Sequence, residues 1–389
     1  MTKKIINIVL QILTFIIPKN KKLILFGGFS GKRYGDNSAF LFEYIVKNYP
    51  EYKAFWISHK PEVINEVLNK NLPALNRYSI KALWYSVRAK YLVGSHSVKD
   101  ASMHEVVSSN QHFIYLHHGI PLRKGWFDVK DAPKVSLHSS KAKIECSSFM
   151  IATSIYAAEQ QNKLLPIGLN KFKITGLPRN DVFFKELNNF EKQLLDKQNI
   201  TNEQFNILYA PTWREWETTK FFPFPDKDLN SLNNSFKENN IFLIIRPHHI
   251  DMKKKELINL KHKTTNLSNI KFITHNEIAD INLICKFSDL LITDYSSLIY
   301  DFLIIDKPII FLPYDFNLYK ERIGFYPDMN EIINSGHNPK TQKELINSII
   351  ELINNNDTKK ENRIALKNKL HKYQDGDSCE RVFKEIINL

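Results

Sequence analysis

A histidine at the carboxyl end of an apolar, strand-like run is placed to move protons, and this chain has two such runs. The first, His112–Leu116, opens into His117-His118-Gly119-Ile120-Pro121-Leu122-Arg123-Lys124. A neutral imidazole takes a proton from an attacking hydroxyl near pH 7. Arg123 and Lys124 would hold an anionic substrate and favour the neutral ring. His118 is the expected base, and His117 reads as a hydrogen-bonded structural residue. The second run, Phe242–Ile245, opens into Arg246-Pro247-His248-His249. Arg246 and His248 suit the charge that develops on a leaving phosphate, whereas His249 reads as a surface residue.

A third run, Leu290–Thr293, leads through Asp294-Tyr295-Ser296-Ser297 into the helical pattern Leu298–Ile304. Ser296 and Ser297, with free backbone N–H groups and the positive end of a helix, have the makings of a phosphate site. The same serines also suit an ordinary helix cap. Asp294 either binds a ribose or substrate hydroxyl or shapes the turn. Gly176-Leu177-Pro178-Arg179-Asn180-Asp181 and Ala210-Pro211-Thr212-Trp213-Arg214-Glu215 follow strand-like runs too, contributing Arg179 and Arg214 as anion contacts or as structural ion-pair partners. The loop Gly27-Gly28-Phe29-Ser30-Gly31-Lys32-Arg33 has the wrong spacing for a Walker A motif and lacks its Ser or Thr after the lysine. Asp375-Gly376-Asp377 sits late, in a helical region, where a turn or cap explains it. No metal cage is read from the sequence, and no cofactor is called for.

Positioning these groups falls to an alternation of apolar runs and helical stretches. Through the first half the runs are Lys22–Phe29, Lys53–Ser58, Tyr91–Ser95, His112–His118, Phe149–Thr153 and Phe172–Gly176, with a helix near Ser38–Asn48. Such alternation predicts a parallel sheet with crossover helices. A polar stretch around Asn188–Asn206 separates it from a second set: Asn206–Ala210, Phe242–Arg246, Lys271–Thr274, Leu290–Thr293 and Pro308–Leu312. The expected domains are 21–195 and 196–370. Residues 371–389 form a last helix packing back across the junction. Two doubly wound α/β domains of this kind bind ligands at the carboxyl ends of their strands, in a cleft between them.

The 389 residues suit two domains, and Lys and Arg exceed Asp and Glu by 54 to 41, a net charge of +13 that calls for an anionic partner. Cys146, Cys285 and Cys379 lie far apart without a CxxC pair, as inert thiols in a reducing compartment do. At the N-terminus, Ile5–Ile17 is largely apolar between lysines and too short to span a bilayer. Asn7, Gln11, Thr14 and Pro18 fall on one narrow stripe opposite a broad apolar face. Residues 1–20 therefore read as an amphipathic helix lying in the interface of an anionic membrane, or as a helix packed on the protein.

Taken in order, the His118–Lys124, Gly176–Asp181, Ala210–Arg214, Arg246–His248 and Thr293–Ser297 motifs, with the closing Tyr373-Gln374-Asp375-Gly376-Asp377-Ser378-Cys379-Glu380-Arg381, make this sequence resemble the CDP-glycerol glycerophosphotransferases of teichoic acid and capsule synthesis, including glycerol-phosphate primases and polymerases. The resemblance covers most of the chain. It implies a GT-B-like fold of two Rossmann-type domains, peripheral attachment to the cytoplasmic face of the membrane, and a CDP-polyol donor held mainly by the second domain. It also implies His118 as the base on the acceptor hydroxyl, His248 at the donor pyrophosphate and Ser296 and Ser297 on donor phosphate. The acceptor would be a lipid-linked or polymeric hydroxyl, with no dependence on an Asp-x-Asp metal site. Arg123 stands where lysine is common in the motif, and the opening Phe26–Lys32 loop differs from that of the teichoic polymerases.

Two rival readings remain at this level. A GT-B glycosyltransferase using a nucleotide sugar would need the same paired domains and phosphate-binding helix start. A basic nucleic-acid or anionic-lipid binding protein would account for the charge and would bind DNA in a salt-sensitive way. It leaves the strand-end histidines unexplained, and no nucleic-acid partner is expected.

Overall fold

The computed structural model describes residues 2–103, 107–125, 128, 145–248 and 250–389, and forms two compact units. The first takes its residues from 1–120, 125–181 and 372–389, the second from 121–124 and 182–371. Among the described residues the first unit has seven parallel strands: β1 (Asn20–Gly27), β2 (Lys53–Ser58), β3 (Ala74–Asn76), β4 (Ala89–Gly94), β5 (His112–Tyr115), β6 (Ser147–Ala152) and β7 (Phe172–Ile174). With them go α1 (Thr2–Ile16), α2 (Asp36–Asn48), α3 (Pro61–Asn69), α4 (Ile80–Arg88) and α5 (Ile155–Leu164). The strand order is β3-β2-β1-β4-β5-β6-β7. The apolar runs lie where the sequence places them, because a parallel strand covered on both faces must be apolar on both. Leu23 to Phe26 illustrate this, being almost wholly buried between the sheet's two apolar layers. Only β3 had no sequence signal: Ala74-Leu75-Asn76 is a short edge strand with no fully buried residue, so it needs no apolar run.

Strand order reverses between β1 and β4, which opens a crevice at their carboxyl ends. The loops there approach closely: a Cβ on Gly27 would stand 1.9 Å from the Asp100 carbonyl oxygen.

The second unit has β8 (Phe205–Tyr209), β9 (Ile241–Ile245), β10 (Ile270–Phe272), β11 (Leu290–Thr293) and β12 (Ile309–Phe311), all parallel and ordered β10-β9-β8-β11-β12. Its helices are α6 (Asn189–Lys197), α7 (Leu229–Glu238), α8 (Lys255–Thr264), α9 (Ile281–Phe287), α10 (Leu298–Leu303), α11 (Phe316–Arg322), α12 (Met329–Ile333), α13 (Gln342–Ile353) and α14 (Lys360–Leu370). Here the order reverses between β8 and β11, the strands that lead to Arg214 and Asp294.

The junction between units falls at 181/182 rather than at 195/196. The polar stretch that separates the two sets of runs begins with α6, opened by a capping box between Asn188 and Glu191. The segment before it is held by Lys286, whose Nζ donates to the carbonyls of Val182 and Lys185. Residues 121–124 also belong to the second unit: Arg123 bridges Phe325, and the Lys124 N–H donates to the Gly324 carbonyl at 3.1 Å. The last helix, α15 (Ser378–Ile387), belongs to the first unit. The Asp181 carboxylate accepts the Ser378 and Cys379 N–H groups at its start, both at 2.9 Å, and Phe383 lies against Tyr49 and Tyr52.

Helix α1 packs on α4, and Lys19 ties its end down by donating to the Thr14 and Val87 carbonyls at 2.5 Å each. Thr14, from the polar stripe, is buried against the protein, while Ile5, Ile8, Val9, Ile12, Phe15 and Ile16 are 47–70% exposed. Among the described residues no helix is long and apolar enough to cross a membrane.

Candidate active site

In the first unit, His118 stands just past β5. The residue keeps an exposed edge, yet protein crowds the ring on its other sides. That crowding, then the neighbouring His96, push its pKa down to about 4, with Arg179 adding to the push and Asp36 opposing it. Water at the exposed edge weakens the effect without reversing its direction, so the ring is neutral at pH 7. One ring nitrogen donates to the Ser95 carbonyl, which fixes the tautomer and leaves the other to accept a proton. His117, by contrast, is buried. Its φ is 51°, its Nδ1 is hydrogen-bonded to the Gly119 carbonyl, and burial pushes its pKa well down, so it shapes the turn as expected.

Arg179 comes to this loop from the segment after β7. Its Nη1 donates to the His118 carbonyl at 2.8 Å and pairs with Asp36 at 3.0 Å. The Arg179 N–H donates to the Asn37 side chain, whose amide in turn donates to the His117 carbonyl at 2.9 Å. The close fit requires Gly119: its φ is 128°, and a Cβ would meet the Arg179 guanidinium at 2.8 Å. Arg179 thus braces the base as well as supplying positive charge beside it.

On the other side of His118 lies His96, from the loop after β4. The two rings are parallel, 5.0 Å apart with 8° between planes, and Phe29 covers the His96 ring at 4.4 Å. The Phe29 N–H donates to His96 Nδ1 at 3.4 Å. Beneath them, buried Asp100 accepts the N–H groups of Ser30 at 2.6 Å, His96 at 2.7 Å and Ser97 at 3.2 Å. Phe29, Ser30 and Gly31 have φ of 51°, 57° and 80°, a left-handed run that these hydrogen bonds hold in place. The sequence reading missed His96, although the signal that found His118, a histidine after an apolar run, is present at Tyr91–Ser95.

In the second unit, Arg214 and Asp294 are not open to a donor. Arg214 is fully buried and pairs with Asp294 and Asp315, both at 2.7 Å. Asp294 also accepts the Thr212 and Tyr295 N–H groups, so of its two expected roles the structure gives it the shaping of the turn. Arg246 is buried as well. It donates to the Ile273 and Ala279 carbonyls, and burial lowers its pKa to about 10. These cations are committed to protein oxygens, which corrects their reading as contacts to substrate.

The remaining predicted residues of this unit are accessible. His248 is half-buried, stacked on Trp213 at 5.7 Å, and its Nδ1 accepts the Ile250 N–H at 3.4 Å. His249 lies outside the described residues. Ser296 Oγ accepts the Leu298 N–H at 3.3 Å, while Ser297 is exposed and makes no side-chain cap bond. Arg123 and Lys124 are exposed, with Arg123 Nη1 3.4 Å from the Tyr319 hydroxyl.

Among the described residues no three His, Cys, Asp or Glu side chains are gathered as a metal ion would need. Asp375 is paired with Arg381. A further Asp-x-Asp, Asp226-Lys227-Asp228, is spent on helix starts, Asp226 at α13 and Asp228 at α7.

Over residues 9–388 the sequence matches the family described as CDP-Glycerol:Poly(glycerophosphate) glycerophosphotransferase. It is 30% identical over 399 residues to the teichoic acid poly(glycerol phosphate) polymerase of Bacillus spizizenii, covering 99% of this chain and 96% of that protein. It is 25% identical over 381 residues to the teichoic acid glycerol-phosphate transferase of Staphylococcus aureus, covering 95% and 93%. Among solved structures, a variant of the wall teichoic acid polymerase TagF soaked with CDPG matches with a TM-score of 0.79 at 22% identity, over 99% of this chain and 93% of that one. That likeness establishes a shared α/β, GT-B-like fold.

Proposed function

The chain belongs to the CDP-glycerol:poly(glycerophosphate) glycerophosphotransferase family, and on that premise we propose that it moves glycerol phosphate from CDP-glycerol onto a hydroxyl of a lipid-linked or growing teichoic-acid-type polymer, releasing CMP. The observation that carries the reading is His118 just past the end of β5, its backbone carbonyl held by Arg179 and its ring stacked on His96. An acceptor hydroxyl attacks the phosphorus that bears the glycerol. The new O–P bond forms as the P–O bond to CMP breaks, and His118 takes the hydroxyl proton. A ring held near pKa 4 is a weak base in the free protein. An anionic phosphate beside it raises that value again, so basicity appears when substrate is present.

In this reading the second unit takes the donor. His248, Arg123 and Lys124 offer accessible positive or hydrogen-bonding groups for the leaving phosphate, and the Ser297 hydroxyl at the start of α10 offers a donor to the diphosphate. Arg214, Asp294 and Arg246 support these positions from the interior. Binding to an anionic membrane surface through α1 is part of the same proposal, supported by its exposed apolar side and by the lysines that flank it.

The test is CMP release from purified protein offered CDP-glycerol, CDP-ribitol, CMP-sialic acid and UDP-sugars in turn with a crude lipid-linked acceptor. Release from CDP-glycerol is expected, and is lost in His118→Ala by about 10²- to 10⁴-fold. Release only from a nucleotide sugar would overturn the chemistry.

A further inference from the structure

We propose that His96 is a positioning residue for His118: the strand-end loop Ser95–Ser97 grips the base twice, through the Ser95 carbonyl on its ring edge and through the His96 ring on its face. The inference rests on the reading of His118 as the base.

The geometry leaves His118 little freedom. A hydrogen bond to one ring nitrogen fixes the tautomer but still allows the ring to rock about that bond. A flat partner at 5.0 Å, nearly parallel, removes that motion. His96 is itself immobilised from three sides. The Phe29 ring lies against it at 4.4 Å, the Phe29 N–H occupies its Nδ1, and Asp100 holds the backbone on which it sits. That construction explains the left-handed run Phe29–Gly31, an otherwise costly conformation: it places the Phe29 ring on His96 while presenting the Ser30 N–H to Asp100. The assembly lies at the reversal of strand order between β1 and β4, where a doubly wound sheet receives its ligand.

The stack also has an electrostatic consequence. After burial, the His96 ring is the largest influence holding the His118 pKa down. Among the described residues, the charged or titratable groups facing His118 are His96 from the β4 loop, His117 from its own loop, Asp36 from the start of α2 and Arg179 from the segment after β7. Of these, His96 is the one whose ring is stacked on that of His118, and replacing it with an apolar ring lifts part of what holds the His118 pKa down.

Three single variants of the full chain test this by steady-state CMP release across pH and by NMR titration of labelled histidine rings. His96→Ala is expected to lower kcat by about 10- to 100-fold, the scale of a misplaced catalytic group, with little change in the KM for CDP-glycerol. His96→Phe, which keeps a flat ring without the imidazole nitrogens, is expected to restore most of kcat. It should also move the His118 titration upward. His96→Ala with wild-type kcat and an unmoved His118 titration would overturn the proposal, as would a loss that His96→Phe neither rescues nor accompanies with a shifted titration. His118→Ala runs alongside: full turnover in that variant would remove the base itself, a failure distinct from that of His96.

Discussion

Arg214 and Asp294 meet at 2.7 Å in the interior of the second unit, each at the end of a strand flanking the reversal of its sheet. Asp315 closes on the same guanidinium at 2.7 Å, and the rings of Tyr295, Tyr314 and Tyr319 surround it at 4.8–5.2 Å. Removing the cation strands two buried carboxylates, and breaking a buried pair in this way costs about 3–5 kcal/mol. Arg214→Met is therefore expected to lower the urea midpoint of the second unit sharply, read by denaturant titration. An unchanged midpoint would mean that the carboxylates reach water without their partner.

Arg179 acts on the base through its backbone. Arg179→Lys keeps a positive charge, but its shorter side chain carries the ammonium short of the point where Nη1 serves both Asp36 and the His118 carbonyl. Its kcat is expected to fall by at least about tenfold while the KM for CDP-glycerol stays near wild type, as follows from losing alignment rather than donor binding. Kinetics across a range of donor concentrations separate the two parameters.

For α1, the exposed side is the testable feature. Replacing Ile12 and Phe15 together with aspartate leaves the buried Leu10 and Thr14 contacts in place and puts charge on the outward face. Sedimentation with anionic liposomes is expected to drop toward background, while CMP release with a detergent-solubilised acceptor persists. Undiminished sedimentation would assign the membrane contact to another surface.

A pH dependence of stability follows from His371, buried in the second unit with its Nε2 on the Tyr300 carbonyl at 2.8 Å. Burial holds its pKa down to about 4, against about 6.5 in an unfolded chain. The unfolded state therefore binds the proton first. The native state has its full advantage above pH 6.5 and loses up to about 3 kcal/mol as pH falls toward 4. In His371→Gln that part of the acid loss should disappear, which denaturant curves at pH 7 and pH 4.5 compare directly.

Legibility in the sequence followed from how local each signal was. The strands were readable because parallel strands buried on both faces are apolar runs, as at Leu290–Thr293, and the His118 loop was readable because a strand ended in polar, cationic residues. Roles that depend on partners far along the chain were not. Nothing near Arg214 announces Asp315, 101 residues away, and nothing near Arg246 tells that its guanidinium lies on the Ile273 and Ala279 carbonyls. Thr14 sat in a polar stripe that pattern alone would turn to solvent, and the fold turns it inward. His96 was legible in principle, and its importance comes only from the ring it meets.

The Asp181 carboxylate that receives α15 joins positions nearly two hundred residues apart. On the ribosome this inverts the order of completion. All of the second unit is synthesised before Ser378 exists, so it can reach its final form while the first still lacks its closing helix. Until then Tyr49 and Tyr52 lie without the Phe383 ring that covers them, an apolar surface on a nascent chain that already carries a finished neighbour. The first unit thus acquires this helix only after the whole second unit has been made, and a chain cut short before Ser378 would carry the whole His118 motif without the helix whose first N–H groups Asp181 accepts.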